Sequence, residues 1–177
     1  MALKTLLTQN KNSILQRWFN LIADTYPTGV SDFLKDNDRF TNPVGHTISQ
    51  EINSLYDELL QDRVDSDKAA ASLDNIIKIR AVQDFSPQEA ISFVFLLKKA
   101  ITDELGSELE KKQSFGEWLE FEPGIDKLAS IAFDKYMESR EKICELRVNE
   151  VRADREIAFR LLRLMGGKNG KHGEAVE

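Results

Sequence analysis

Residues 86–105 read Ser86-Pro87-Gln88-Glu89-Ala90-Ile91-Ser92-Phe93-Val94-Phe95-Leu96-Leu97-Lys98-Lys99-Ala100-Ile101-Thr102-Asp103-Glu104-Leu105. A serine, a proline in the first helical position and a glutamate three residues after the serine make a capping box, the sharpest helix start in the chain. The helix it opens is predicted to end at Gly106, and it is apolar nearly all round in its first half. Such a helix belongs at the centre of a bundle, with other helices on every side.

Upstream, the same helical period recurs. Leu6, Leu7, Ile14, Leu15, Trp18, Phe19 and Ile22 repeat at spacings of one, three, four and seven, with Asn12 or Ser13 as the cap of a second helix, and Tyr26-Pro27-Thr28-Gly29 ends the run. A short element follows around 31–35. Asn42-Pro43 is a cap followed by a first-turn proline, opening a helix to about Gln61 with Val44, Ile48, Ile52, Leu55, Tyr56 and Leu59 on one stripe. Ser66 opens the next, with Leu73, Ile76, Ile77 and Arg80, closing near Asp84-Phe85.

Downstream, a short polar helix at 107–112 and a turn at Glu122-Pro123-Gly124 are expected. An uninterrupted helical pattern then runs from Ile125 to Met165. At 1.5 Å per residue that is roughly 60 Å, longer than a domain of this size is wide, so its end must project, bend or pair. Residues 125–146 carry a core-like stripe, residues 147–156 are mostly charged, and Ile157, Phe159, Leu161, Leu162, Leu164 and Met165 form a new apolar patch beside Arg160 and Arg163. Gly166-Gly167 ends the helix. Strand-like alternation is almost absent, so the fold class is all-α. The expected parts are a helical domain over 1–146, a stalk over 147–166 and a disordered tail over 167–177.

The composition narrows the function. The 177 residues are 41% hydrophobic and 31% charged, the make-up of one globular domain. Thirty acidic against 24 basic side chains leave a net charge of -6, which argues against nucleic acid as a partner. No apolar run approaches the roughly 20 residues of a transmembrane helix, and residues 1–10 lack a signal-peptide pattern, so a cytoplasmic chain is expected. The lone Cys144 excludes an internal disulfide and a Cys-based metal site, and it reads as a buried small hydrophobe. Residues 147–171 hold seven basic and three acidic side chains, which suits either a two-stranded coiled coil or folded-back helix end solvated by arginines, or an amphipathic basic end docking an acidic partner or a membrane surface.

Catalysis has little to work with. Of two histidines, His172 lies in the tail, and His46 stands alone in the first turn of its helix. A structural or surface role for His46 is the first reading, and ligand sensing through its near-neutral titration the second. No Glu-x-x-His motif, no Gly-rich phosphate loop and no core-placed haem ligand is present, so no catalytic residue, metal site or cofactor is assigned. An apolar ligand pocket lined by Trp18, Phe93, Phe95 and Phe133 is the alternative to a purely regulatory protein.

The segments Asn42-Pro-Val-Gly-His-Thr-Ile-Ser49, Leu73-Asp-Asn-Ile-Ile-Lys-Ile-Arg-Ala-Val-Gln-Asp-Phe-Ser-Pro87 and Phe93-Val-Phe-Leu-Leu-Lys98 resemble the N-terminal sensory domain of RsbRD-type stressosome co-antagonists, a domain that also stands before histidine kinase modules. The likeness covers about residues 3–155. It implies a globin-like helical bundle without haem and with a long, projecting C-terminal helix, a homodimer, and a signal carried down that helix. The output domain expected after it is missing, so the chain resembles the stand-alone versions found in sulfate-reducing bacteria near sulfite-reduction and membrane redox genes. The resemblance therefore implies sensing or regulation, and the apolar patch Ile157, Phe159, Leu161, Leu162, Leu164 and Met165 is the expected partner or dimer interface, through which a separate protein is met.

Overall fold

The computed structural model describes residues 2–36, 41–61, 63–83 and 85–166, with the backbone alone at 112, 113, 165 and 166. Seven helices and no strand occur among the described residues: α1 (Leu3–Gln9), α2 (Lys11–Ala23), α3 (Thr28–Leu34), α4 (Pro43–Leu59), α5 (Ser66–Val82), α6 (Pro87–Leu109) and α7 (Lys112–Gly166). Two compact units result, Met1–Ser139 and Arg140–Glu177, and the assignment of α7 runs through both. The first is a globin-like all-α bundle. The described residues of the second, 140–166, are one helical segment.

In the first unit α2 packs on α6 and α4, and α5 packs on α4 and α6, so four helices close a ring around one core. Ile14, Trp18, Ile48, Ile52, Tyr56, Leu73, Ile76 and Phe93 are its largest buried apolar side chains. Trp118, Ile125, Leu128, Ala132 and Tyr136 cover it from α7. The polar tips of three buried aromatics bond to backbone carbonyls of other elements: Trp18 Nε1 donates to Phe93 O (2.7 Å), Tyr56 Oη to Leu7 O (3.0 Å) and Tyr136 Oη to Phe85 O (2.7 Å). Each bond satisfies a group whose burial would otherwise be costly, and each fixes the register of one helix against another. Burial also raises the Tyr56 phenol far above its ordinary value, so it remains a donor.

The helix starts follow local chemistry. Asn42 Oδ1 accepts from Gly45 N (2.8 Å), while its Nδ2 donates to Leu34 O (2.7 Å) and Asp36 O (2.8 Å), tying the end of α3 to the start of α4. Asp65 caps α5 by accepting from the Asp67 and Lys68 amides. At α6 the capping box is complete: Glu89 N donates to Ser86 Oγ (3.3 Å) and Ser86 N to Glu89 Oε2 (2.9 Å).

Several boundaries depart from the sequence expectation. The break between α1 and α2 falls at Asn10, whose Nδ2 donates to Leu6 O (2.9 Å); Ser13 donates back to Asn10 O (3.0 Å) and caps nothing. Helix α6 passes Gly106 because Leu105 and Leu109 are both buried, which outweighs the roughly 1 kcal/mol that a helical glycine costs. The expected turn at Glu122-Pro123-Gly124 is helical. Pro123 removes the amide that would bond the Leu119 carbonyl, but both residues are exposed and water can serve that oxygen. On either side of it Glu122 and Asp126 both pair with Lys98 Nζ (2.8 and 2.7 Å), and Ile125 is buried. At Gly124 a Cβ would come within 3.3 Å of Leu59, so glycine lets α7 approach the end of α4 closely.

The deepest charge is Arg80, fully buried at the C-terminal end of α5. Its guanidinium lies 4.3, 5.2 and 5.9 Å from the ring centres of Phe85, Tyr26 and Phe93, and Nη2 donates to Thr25 Oγ1 (3.1 Å) and Glu89 O (3.0 Å). Nε and Nη1 have no hydrogen-bond partner among the described residues, and burial lowers its pKa from the ordinary value. The side chain joins the end of α2, the end of α5 and the start of α6 in an aromatic cage.

Two outcomes follow from these contacts. Arg80→Met keeps the volume and the aromatic contact while removing a poorly solvated charge, whereas Arg80→Lys keeps a strongly hydrated charge that cannot reach both acceptors. Denaturant midpoints should rank wild type, then Met, then Lys, with Arg80→Ala losing about 2–5 kcal/mol through the void it leaves; a Lys variant more stable than Met would reverse this account. Ser86→Ala should cost about 1 kcal/mol at neutral pH. The Ser86 hydrogen bonds hold the Glu89 carboxyl below its ordinary pKa, so its contribution is present above the unfolded carboxylate value and is lost as pH falls through the folded one. The gap between wild type and Ser86→Ala should therefore narrow on acidification.

Candidate functional site

Two regions carry the residues singled out from sequence. One is the end of α7. Ile157, Phe159, Leu161, Leu162 and Leu164 are 57, 53, 54, 65 and 65% exposed, and the Met165 side chain lies outside the described residues. Large apolar side chains at such exposure, clustered within two turns, mark a contact surface more often than a free one. Arg155 lies over the Phe159 ring at 5.4 Å.

The spacing within this segment holds more than a patch. Cys144, Val148, Val151, Arg155, Ala158 and Leu162 alternate by four and three residues, the period of a coiled-coil seam with one arginine in it. Ile143, Leu146, Ile157, Leu161 and Leu164 lie roughly 100–160° around the helix from it at 100° per residue, making a second, broader apolar face. Sequence reasoning that weighed residues 147–156 by composition saw only charge there; counting the four-three alternation would have revealed the first seam.

Three expectations about this region are corrected. The stripe over 125–146 is buried only through Tyr136, because Phe133, Met137 and Leu146 point to solvent (43, 50 and 69% exposed). Cys144 is exposed rather than buried, since the described residues of its unit form a single helical segment with no second element to cover a thiol. The aromatic pocket does not form. Trp18 and Phe93 are sealed in the core with the Trp18 indole bonded to the Phe93 carbonyl, while Phe95 and Phe133 lie outside in a shallow groove with Ile91 and Ala129. Among the described residues no group of three His, Cys, Asp or Glu side chains is placed to hold a metal, and no helix is long and apolar enough to cross a membrane.

The second region surrounds His46. A cleft of about 530 Å³ opens between α2, the end of α3 and α4. Asn12, Gln16 and Asn20 line it at i, i+4 and i+8 along α2, and His46, Gln50 and Asn53 line it at i, i+4 and i+7 along α4. None of these six side chains is hydrogen-bonded to the protein among the described residues. His46 Nε2 is buried and has no hydrogen-bond partner among the described residues, a state that costs about 1–3 kcal/mol for a polar group. Buried Leu34 and Ile52 and half-buried Leu15 and Phe19 supply apolar walls. The α2 ladder was missed from sequence because asparagine and glutamine at helical spacing are also what a solvated face displays.

A family model described as the RsbT co-antagonist protein rsbRD N-terminal domain matches residues 12–151. An uncharacterized protein of Archaeoglobus fulgidus is 27% identical over 158 residues, spanning 86% of this chain and 92% of its own length. No solved structure matches.

The matched segment includes the Asn42–Gly45 junction that floors the cleft. A Cβ at Gly45 would overlap the Asn42 amide and stand 2.5 Å from the Leu34 carbonyl oxygen, so the junction cannot accept one without opening. Gly45→Ala should lower stability by about 2 kcal/mol or more. Gly29→Ala, with nothing within 4 Å, should leave the melting temperature unchanged or raise it slightly. Equal effects at the two sites would contradict this packing.

Proposed function

The chain belongs to the RsbRD N-terminal domain family, and from that premise we propose that it is a non-catalytic, cytoplasmic regulatory protein, a homodimer that signals through the end of α7 to a separate protein partner. In this reading residues 1–146 sense, residues 147–166 transmit, and residues 167–177, outside the described residues, are a tail. The family description, a co-antagonist of RsbT, supports regulation, and the implied setting is stressosome-type signalling, with the link to sulfite reduction that similar stand-alone chains suggest.

The observation that carries the proposal is the exposed apolar surface of residues 143–164 and its division into two seams. A helix that needs one partner has one stripe; two stripes provide for a second copy and for a further protein. Fully burying a leucine or phenylalanine contributes about 1.5–3 kcal/mol, so four or five of them can exceed the roughly 4–15 kcal/mol lost on association. The heptad seam through Val148, Val151, Ala158 and Leu162 is assigned to the second copy. The seam through Ile157, Leu161 and Leu164 is assigned to the partner.

Light scattering tests this division. The full chain should have the mass of a dimer, and Val151→Asp/Leu162→Asp and a truncation ending at Arg155 should have that of a monomer. Leu161→Asp/Leu164→Asp should remain a helical dimer by mass and circular dichroism. A dimeric Val151→Asp/Leu162→Asp chain would refute the assignment of the heptad seam.

A further inference from the structure

We propose that the outer groove between α6 and α7 in the first unit receives the end of α7 from a second copy of the chain, the two α7 helices running antiparallel about Cys144. The inference rests on the assignment of the heptad seam to a second copy and names what that seam meets. Counting forward from Cys144 by four, three, four, three and four residues reaches Val148, Val151, Arg155, Ala158 and Leu162, the seam itself. Counting back by the same steps reaches Arg140, Met137, Phe133, Ser130 and Asp126. The last three line the groove with Ile91, Phe95 and Ala129. In an ideal α-helix of about 100° per residue, every one of these positions falls within about 40° of the Cys144 direction. The steps read the same both ways, so a two-fold axis at Cys144 sets each position of one copy against a position of the other. The two successive steps of four at its centre are a stutter, which locally unwinds a coiled coil.

Charge decides the direction. A parallel pair in register would set Arg155 against Arg155 of the second copy and Arg140 against its Arg140, and like charges facing each other across a seam oppose it. The antiparallel pair sets Arg155 against the Phe133 ring, beside which Asp134 also lines the groove, Val151 against Met137, and Arg140 against Val148. Leu162 falls at the level of Asp126, where Lys98 holds that carboxylate at 2.7 Å and lies 5.9 Å from the Phe95 ring. Residues 1–146 hold 17 basic and 25 acidic side chains, so the basic end of one copy is drawn to the acidic body of the other. Apolar area points the same way. From Cys144 to Leu162 the seam spans fewer than three heptads and includes an arginine and an alanine, whereas a coiled coil is sustained over about three to four. Exposed Phe95, Phe133 and Met137 supply the area that this short seam lacks.

Disulfide trapping on the full chain tests the arrangement. Met137→Cys and Val151→Cys are made separately, each with Cys144→Ser to remove the native thiol, then mixed, allowed to exchange subunits and oxidised. The mixture should give covalent dimer on a non-reducing gel in about tenfold or greater yield than either variant alone, because only the antiparallel pair sets residue 137 beside residue 151. Equal yields from the variants alone and from the mixture would mark a parallel pair and overturn the inference, as would a dimer that is trapped in none of the samples. Phe95→Ser and Phe133→Ser, at exposed positions, should keep the helical content and melting temperature, and each should raise the dimer dissociation constant by about tenfold or more. A constant unaltered in both variants would overturn the part given to the groove. Masses measured on the same samples separate the two proposals: a dimer that fails these tests ends this inference and leaves the seam assignment standing, whereas a monomeric full chain ends both.

Discussion

A buried guanidinium with no ion-pair partner among the described residues sits within the bundle, and the arrangement of three helix ends depends on it. Arg80 is enclosed by Tyr26, Phe85 and Phe93 and reaches the Thr25 hydroxyl and the Glu89 carbonyl. Burying a charge is tolerable there because the faces of three rings, two acceptors and the C-terminal end of α5 all present negative potential to it. Those groups come from the segment after α2, the turn after α5 and the first turn of α6. The side chain is therefore satisfied only when the three ends meet in one geometry. The capping box at Ser86 then sets the direction in which α6 leaves.

From that junction the remaining order follows by packing. Phe93 stands in the second turn of α6, where its ring closes the Arg80 cage and its carbonyl receives the Trp18 indole, fixing α2 along α6. Tyr136 bonds the Phe85 carbonyl in the same turn, which brings the first part of α7 to the junction as well. Lys98 holds α6 to α7 through Glu122 and Asp126 on both sides of Pro123. These ion pairs are partly exposed and individually weak, yet they sit where a helix has lost a backbone bond and needs support.

The cleft and the seams occupy separate parts of the chain. The cleft lies wholly within the first unit, on the opposite long side of α2 from the Trp18 contact, with its floor made by the Asn42 junction. The seams lie in the second unit. The cleft is lined mainly by polar side chains, and the seams leave apolar area uncovered. Helix α7 is the covalent element common to both units.

Much of this fold is legible in the residues alone, because helix starts are local events. Asn42-Pro43 and Ser86-Pro87-Gln88-Glu89 satisfy their own first-turn amides within four residues, and both helices begin where those residues place them. That α6 buries Phe93, Val94, Leu97, Ala100 and Ile101 follows as directly, but its expected enclosure on every side does not, since it is one of four helices in a ring and Phe95 is exposed. The apolar patch at the end of α7 is equally readable. Helix ends and inner faces are different. Whether Pro123-Gly124 breaks a helix depends on Lys98 and Leu59, which lie far away in sequence. Whether Phe133, Met137 or Cys144 is covered depends on where facing helices stop. Trp18 and Phe93 become core while Phe95 becomes surface for the same reason, and the amide ladders of α2 and α4 line one cleft only when the two helices stand face to face. Local hydrogen bonding is encoded over a few residues; burial is decided by what the rest of the chain brings alongside.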